Sequence, residues 1–263
     1  MNRRGFMMAG ATIPLVAAQG LPAAAAAAKG PTFVLVHGSW HGGWCWSRVQ
    51  PLLEQAGARV SAPTLTGVGE RAHLIDRRVN LETHVDDIVN HIDSEELTDV
   101  VLVGHSYAGF PASLAATRRP DAVSHLVLLD SFFPKDGETL LGHLGPDFAN
   151  DFNAKAAADL SWNIPPLPAA AFGLKGDDAA WVDRHLKPHP IATHTQPAKY
   201  GPGPLPRRTY VRCTQSTIAP IFQLSLENVK ADGQFRMVEV EAGHDLMVDQ
   251  PELLAKTLLD VAA

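Results

Sequence analysis

Three separated stretches of this chain carry side chains that can act together on a carbonyl group. The first runs Val103, Gly104, His105, Ser106, Tyr107, Ala108, Gly109, after an apolar run and before helix-compatible residues. A serine on a sharp turn between a buried strand and a helix stands above the sheet as a nucleophile elbow. There it lies beside a helix amino end, which favours developing negative charge. The expected pattern is Gly-x-Ser-x-Gly; here Ala108 holds the fifth place and Gly109 follows one later. Alanine is small enough for the tight turn. A bare Gly-x-Ser is common and a serine at a helix start often only caps it, so the strand before and the helix after carry the reading of Ser106 as nucleophile.

The second stretch, residues 36–44, reads Val-His-Gly-Ser-Trp-His-Gly-Gly-Trp. Gly38 lets the backbone approach a ligand closely. The backbone N–H of Ser39, with that of Tyr107, is expected to form an oxyanion hole. His37 and His41 have no third partner at metal-like spacing, and no Lys or Ser/Thr follows in the order of a phosphate loop. The third stretch places His244 between an apolar strand and the last helix. A serine hydroxyl is a poor nucleophile at neutral pH and needs a base within hydrogen-bond reach; His244 is the residue expected to supply it.

The elements that must hold these residues follow one rhythm. Strands are expected at residues 32–37, 59–63, 100–104, 125–130, 209–213 and 236–241, from short, largely apolar runs, the first three ended by Gly or Pro. Helices are expected at 46–57, 81–97, 107–119, 218–230 and 251–261. Strands apolar along their whole length and alternating with helices imply a mostly parallel sheet of about six strands, covered on both faces. Residues 135–206 break the rhythm. They are rich in Pro, Ala, His and Trp, offer no strand, and are too long for a structureless loop. They are read as a helical cap over the carboxyl ends of the strands, with the core formed by 30–134 and 207–263. Trp40, Trp44, Trp162, Trp181 and Tyr200 are candidates to line an apolar pocket, Trp40 and Trp162 foremost. The cap histidines His143, His185, His189 and His194, lying among prolines, are read as solvated.

With these residues in place, the chain resembles the α/β-hydrolase superfamily. It is most similar to the branch of plant methyl-ester esterases and hydroxynitrile lyases with their bacterial esterase relatives. The matching stretches are residues 33–46, 100–109, 210–223 and 243–254. The resemblance implies Ser106 as nucleophile, His244 as base, and Ser39 and Tyr107 N–H groups as oxyanion hole. It also implies an acid shortly after the fifth strand, but residues 211–217 hold no carboxylate; Ser216 or Gln215 takes that place. An imidazole that becomes positive in the transition state needs an anion on its other nitrogen. Asp130 ends the preceding strand and is the acid expected here. The alternative is that Asp130 only braces its turn while Ser216 holds the histidine as a neutral partner. Asp245 and Glu241 are less well placed for the same nitrogen.

Composition sets the frame. The chain has 263 residues, 46% hydrophobic and 19% charged, with net charge -6. Disordered, collagen-like and coiled-coil classes are excluded, and the acidic balance argues against nucleic-acid binding. Two cysteines, Cys45 and Cys213, make no disulfide framework. Residues 1–29 have paired arginines followed by Gly and Phe, an apolar middle and an alanine run. They resemble a twin-arginine export signal, so the mature protein is expected in the periplasm or outside the cell, without a membrane span. The expectation is a serine esterase for small to medium apolar carboxylic esters, needing no metal or organic cofactor. Its rivals are a ligand-binding protein on the same fold and a lyase of the hydroxynitrile type; for the latter, Asp245 stands where the branch's lyases carry Lys.

Overall fold

In the computed structural model, residues 30–159 and 162–263 are described; the expected export signal at 1–29 lies outside them. The strands are β1 (Thr32–Val36), β2 (Arg59–Ser61), β3 (Val100–His105), β4 (Val123–Leu129), β5 (Asn163–Ile164), β6 (His189–Pro190), β7 (Arg207–Cys213) and β8 (Phe235–Val240). Six of them form one sheet in the order β2-β1-β3-β4-β7-β8, every neighbouring pair parallel. Alternation along each strand sends side chains to opposite faces. Phe33, Leu35, Val101, Val103, Val127 and Leu129 pack into one buried cluster, and Val34, Val36, Leu102, Leu126 and Leu128 into another. Both faces are dry, which is why these strands read as continuous apolar runs.

The helices of the core are α1 (Gln50–Gln55), α2 (Leu81–Ser94), α3 (Gly109–Arg118), α8 (Gln223–Asp232), α9 (Leu246–Asp249) and α10 (Pro251–Ala262). Three of these begin later than the sequence pattern suggests. A 3-10 turn precedes each, at Gly43–Trp46, Ser106–Ala108 and Ala219–Phe222. Proline explains the delay. Pro51 and Pro111 fall in the first turns of α1 and α3, and Pro220 in the 3-10 turn before α8. A proline lacks an N–H, so only the first turn, or a break before the helix, tolerates it. α2 keeps its expected start because Asn80 and Thr83 form a reciprocal capping box.

The insertion between β4 and β7 contains α4 (Leu140–Leu144), α5 (Pro146–Ala158), α6 (Gly176–His185) and α7 (Ala192–Thr195). It was expected to hold no strand, but β5 and β6 pair antiparallel, Asn163 with Pro190 and Ile164 with His189. Two-residue strands are too short to leave an alternating pattern in sequence. The pair anchors the insertion over β1: Lys187 N–H donates to Trp40 O at 3.0 Å and Trp40 Nε1 donates to Ile164 O at 3.2 Å. Cys45 and Cys213 are buried and unbridged. Among the described residues, no helix is long and apolar enough to cross a membrane.

Candidate active site

Ser106 leaves β3 with φ +54, a conformation that costs a non-glycine residue energy and persists only when its surroundings hold it. Here Phe132 N–H and the Ser131 hydroxyl both donate to Ser106 O, at 3.1 and 2.7 Å. The turn leaves no room for larger neighbours. A Cβ on Gly104 would sit 2.8 Å from Ala108 O, and one on Gly109 would sit 1.9 Å from Phe132 O. Gly109, not residue 108, is therefore the position that must be glycine on the helix side. Gly109→Ala is expected to cost about 3 kcal/mol by overpacking, lowering the melting temperature by roughly 10 °C; an unchanged thermal melt would show that the loop after β4 yields freely.

His244 follows β8 and precedes α9, where it is buried. Its Nδ1 lies 2.7 Å from Asp130 Oδ2, both side chains 2% exposed. Asp130 leaves β4 at φ +39, and its other oxygen accepts the Cys213 N–H at 3.2 Å from the end of β7. A carboxylate on Nδ1 fixes the proton there and leaves Nε2 as the basic nitrogen. Phe222 and Phe172 flank the ring with centroids 5.6 and 5.8 Å away. Ser216 does not hold this ring: its hydroxyl is buried with no hydrogen-bond partner. Among the described residues the Ser106 hydroxyl also has none. Hydrogen bonds between a nucleophile and its base often tighten only when substrate is bound.

Gly38 brings β1's loop against the elbow, since a Cβ there would lie 3.0 Å from Ser106 Cβ. The Ser39 N–H has no protein acceptor among the described residues, and the Tyr107 N–H lies at the start of a helical turn, where N–H groups have no partner within the helix. The loop is locked from behind. His41 donates from Nδ1 to Ser39 O at 2.8 Å and from Nε2 to Asp245 Oδ2 at 3.2 Å. With both nitrogens facing acceptors, the ring is an imidazolium. Burial alone would lower its pKa, but the Asp245 charge and hydrogen bond raise it. Burial likewise works to raise the Asp245 pKa, yet the histidines hold it down to about 2, His41 foremost. Asp245 thus braces the loop after β1, through His41, rather than orienting His244.

Seven other histidines are buried, and burial lowers the pKa of each. Burial pushes His37 to about 3, His84 to about 4 and His194 to about 3, and holds His105 and His189 well below 6.5. A depressed histidine pKa gives stability that is whole above 6.5 and drains as the unfolded chain takes up protons below it. Each such ring costs about 1.4 kcal/mol per pH unit through that window. The His41–Asp245 pair has the opposite dependence for histidine: its contribution is whole below 6.5 and is lost as pH rises through the raised pKa. Thermal melts should therefore fall steeply between pH 6.5 and pH 4, before most carboxylates titrate. A flat melting temperature across that range would contradict the neutral-histidine assignment.

Among the described residues one trio, His105, His244 and Asp245, has ligand-type atoms within 4.8 Å of one another. Its ring nitrogens are partly committed, His244 Nδ1 to Asp130 and His105 Nε2 to the His244 carbonyl at 3.1 Å.

Above Ser106 lies a narrow cavity of about 50 Å³, bounded by Trp40, Phe132, Phe152, Phe172, Ile218 and Ile221, with Ser39 and His194 as its other polar residues. Of the aromatic candidates only Trp40 lines it; φ +66 turns its ring toward Phe152 and Phe172. Trp162 does not. It is 48% exposed and stacks under Arg77 in an outer groove with Asp76 and Pro190. Two residues on, Ile164 is fully buried and takes the inner position. Trp44 packs on His41 and Trp181, and Tyr200 bonds to Pro134 O, both away from the cavity. The solvated reading of the cap histidines is overturned for three of the four: His143, His189 and His194 are buried, while His185 is half-buried, its ring tilted against Trp44. Their neighbouring prolines mark the chain folding inward, not a solvent loop. His194, which sequence reasoning missed as a site residue, stacks on Tyr107 at 5.1 Å.

Comparison with known proteins agrees with this fold. The chain is 38% identical over 236 residues to the carbendazim hydrolyzing esterase of a Nocardioides species, covering 86% of this chain and 97% of that one. It is 26% identical to salicylic acid-binding protein 2 of Nicotiana tabacum, over 89% of this chain and 98% of that protein. Among solved structures, an extracellular alpha/beta-hydrolase from a Paenibacillus species superposes with a TM-score of 0.77 at 24% identity, covering 89% of this chain and 99% of the other. The sequence pattern of the alpha/beta hydrolase family matches residues 33–257, and the chain belongs to that family.

Proposed function

We propose that this protein is an exported serine esterase in which Ser106 is the nucleophile, His244 the base and Asp130 the orienting acid. The observation that carries the reading is the buried 2.7 Å contact of Asp130 Oδ2 with His244 Nδ1, made across the sheet from a strained serine elbow. His244 Nε2 takes the Ser106 proton as Oγ bonds to the ester carbonyl carbon. The resulting oxyanion is held by the Ser39 and Tyr107 N–H groups. His244 then gives that proton to the leaving alkoxide, and an alcohol departs. Water attacks the acyl-enzyme by the same route, its proton passing through His244 back to Ser106 Oγ, and the acid is released. Asp130 remains ionised throughout and balances the imidazolium.

The narrow apolar cavity supports small apolar esters over charged polymers. Its volume falls below the roughly 300–1,000 Å³ of pockets for drug-sized ligands. Residues 135–206 serve as the cap that closes it. Relatives named for esterase activity support the reaction class, and the twin arginines Arg3 and Arg4 support export. A fluorophosphonate label tests the chemistry. Intact mass should rise by one adduct, mapped by peptide mass to Ser106 and absent in His244→Ala over the same exposure. A folded wild-type protein that stays unlabelled would instead indicate a ligand-binding protein.

A further inference from the structure

Behind the apolar cavity runs a polar chain with a fixed direction, reaching the cavity wall at Ser39 and His194. Trp40 N–H donates to His189 Nδ1 at 3.2 Å, so Nδ1 is bare and the proton of this neutral ring sits on Nε2. That proton goes to Thr193 Oγ1 at 3.0 Å. The Thr193 hydroxyl spends its own proton on Pro190 O at 2.7 Å. It can therefore only accept from His194 Nδ1, also 2.7 Å away. His194 Nε2 is then bare and accepts the Ser39 hydroxyl proton at 3.2 Å. The chain ends at the Ser39 oxygen, which on this hydrogen-bond pattern has lone pairs to spare, and Ser39 lines the same cavity as Ser106. Ser39 is 8% exposed and His194 1% exposed, so water does not readily substitute for a missing partner.

We propose that Ser39 Oγ, oriented by His194, is a specificity-determining acceptor that selects esters whose acyl part carries an N–H or O–H donor next to the carbonyl. This inference rests on the esterase reading and names its substrate class. An apolar body fits the walls, while a donor satisfies an acceptor that would otherwise be desolvated on binding. A substrate offering only an acceptor would face a lone pair. His194 acts through Ser39 and is a positioning residue.

Methyl pyrrole-2-carboxylate and its N-methyl analogue differ in that one donor, and 4-nitrophenyl acetate gives a donor-free reference. Wild type should show kcat/KM at least about tenfold higher for the N–H ester, the scale of one buried hydrogen bond. In His194→Phe, which keeps the stack on Tyr107, that ratio should fall to near one, with the change mainly in KM. In Ser39→Ala it should fall at least severalfold. Parallel turnover of the nitrophenyl ester separates the two readings. Nitrophenyl ester turnover with equal rates on the matched pair, or a ratio that survives both substitutions, overturns the acceptor proposal alone. Turnover of none of the three esters overturns the esterase reading and this proposal with it.

Discussion

Ser106→Ala should reduce kcat/KM for a small ester by about 10⁵-fold or more, and His244→Ala should reach nearly the same floor. The two residues act as one unit, so the double variant should be no worse than either single one. In the proposed mechanism the serine supplies the attacking oxygen, and His244 Nε2 is the base whose other nitrogen already meets Asp130. Removing either leaves hydrolysis by water in a preorganised oxyanion site, worth some 10³–10⁴ over solution. Ser106→Ala should fold, because Ser106 Oγ supports no other hydrogen bond among the described residues and the elbow is held through Ser106 O; His244→Ala leaves Asp130 without its ring partner and should melt lower while staying folded. Steady-state kinetics beside thermal melts give the check. Additive losses in the double variant, or Ser106→Ala retaining more than a hundredth of wild-type activity, would remove the proposed unit.

Much of this arrangement was legible because local rules and global fold agree. The runs at β3 and β4 could be read as strands since both sheet faces bury them, and an apolar run followed by Gly-x-Ser and a helix has few other structural solutions. The placement of Asp130 was legible by strand order: it follows β4, the neighbour of β7 in the sheet, and its carboxylate meets the Cys213 N–H at the end of β7. The insertion was much less legible. Its ordered pieces are short, and contacts distant in sequence determine its packing, such as Ser39 with His194, 155 residues apart. Histidine among prolines suggests a solvated loop when read locally. Only the fold shows that Thr193 and Tyr107 are there to pair with and cover those rings. Trp162 was misplaced for the same reason, because composition does not tell that Ile164 faces inward and Trp162 outward.

Asp130→Asn should lower kcat by about 10⁴-fold, whereas Ser216→Ala should change it by no more than about threefold. The asymmetry follows from who already holds each atom. Asp130 Oδ1 accepts the Cys213 N–H at 3.2 Å, so an asparagine there keeps its carbonyl oxygen toward Cys213 and turns its amide NH₂ onto His244 Nδ1. That nitrogen must then accept, and the ring proton moves to Nε2, the atom that should receive the Ser106 proton. The variant has the wrong tautomer in an otherwise intact site, and the imidazolium formed during attack loses its counter-charge in a buried setting. Ser216 gives nothing comparable, because its hydroxyl is buried and unpartnered; removing it relieves a desolvated group instead of breaking a bond. The measurement is kcat for both variants on one nitrophenyl ester, with fluorophosphonate labelling rates in parallel. Labelling should slow by a similar factor in Asp130→Asn, since the same proton transfer precedes it. If Ser216→Ala were the slower enzyme, the acid role would pass from the end of β4 to the loop after β7, and the 2.7 Å contact would be a brace for the turn alone.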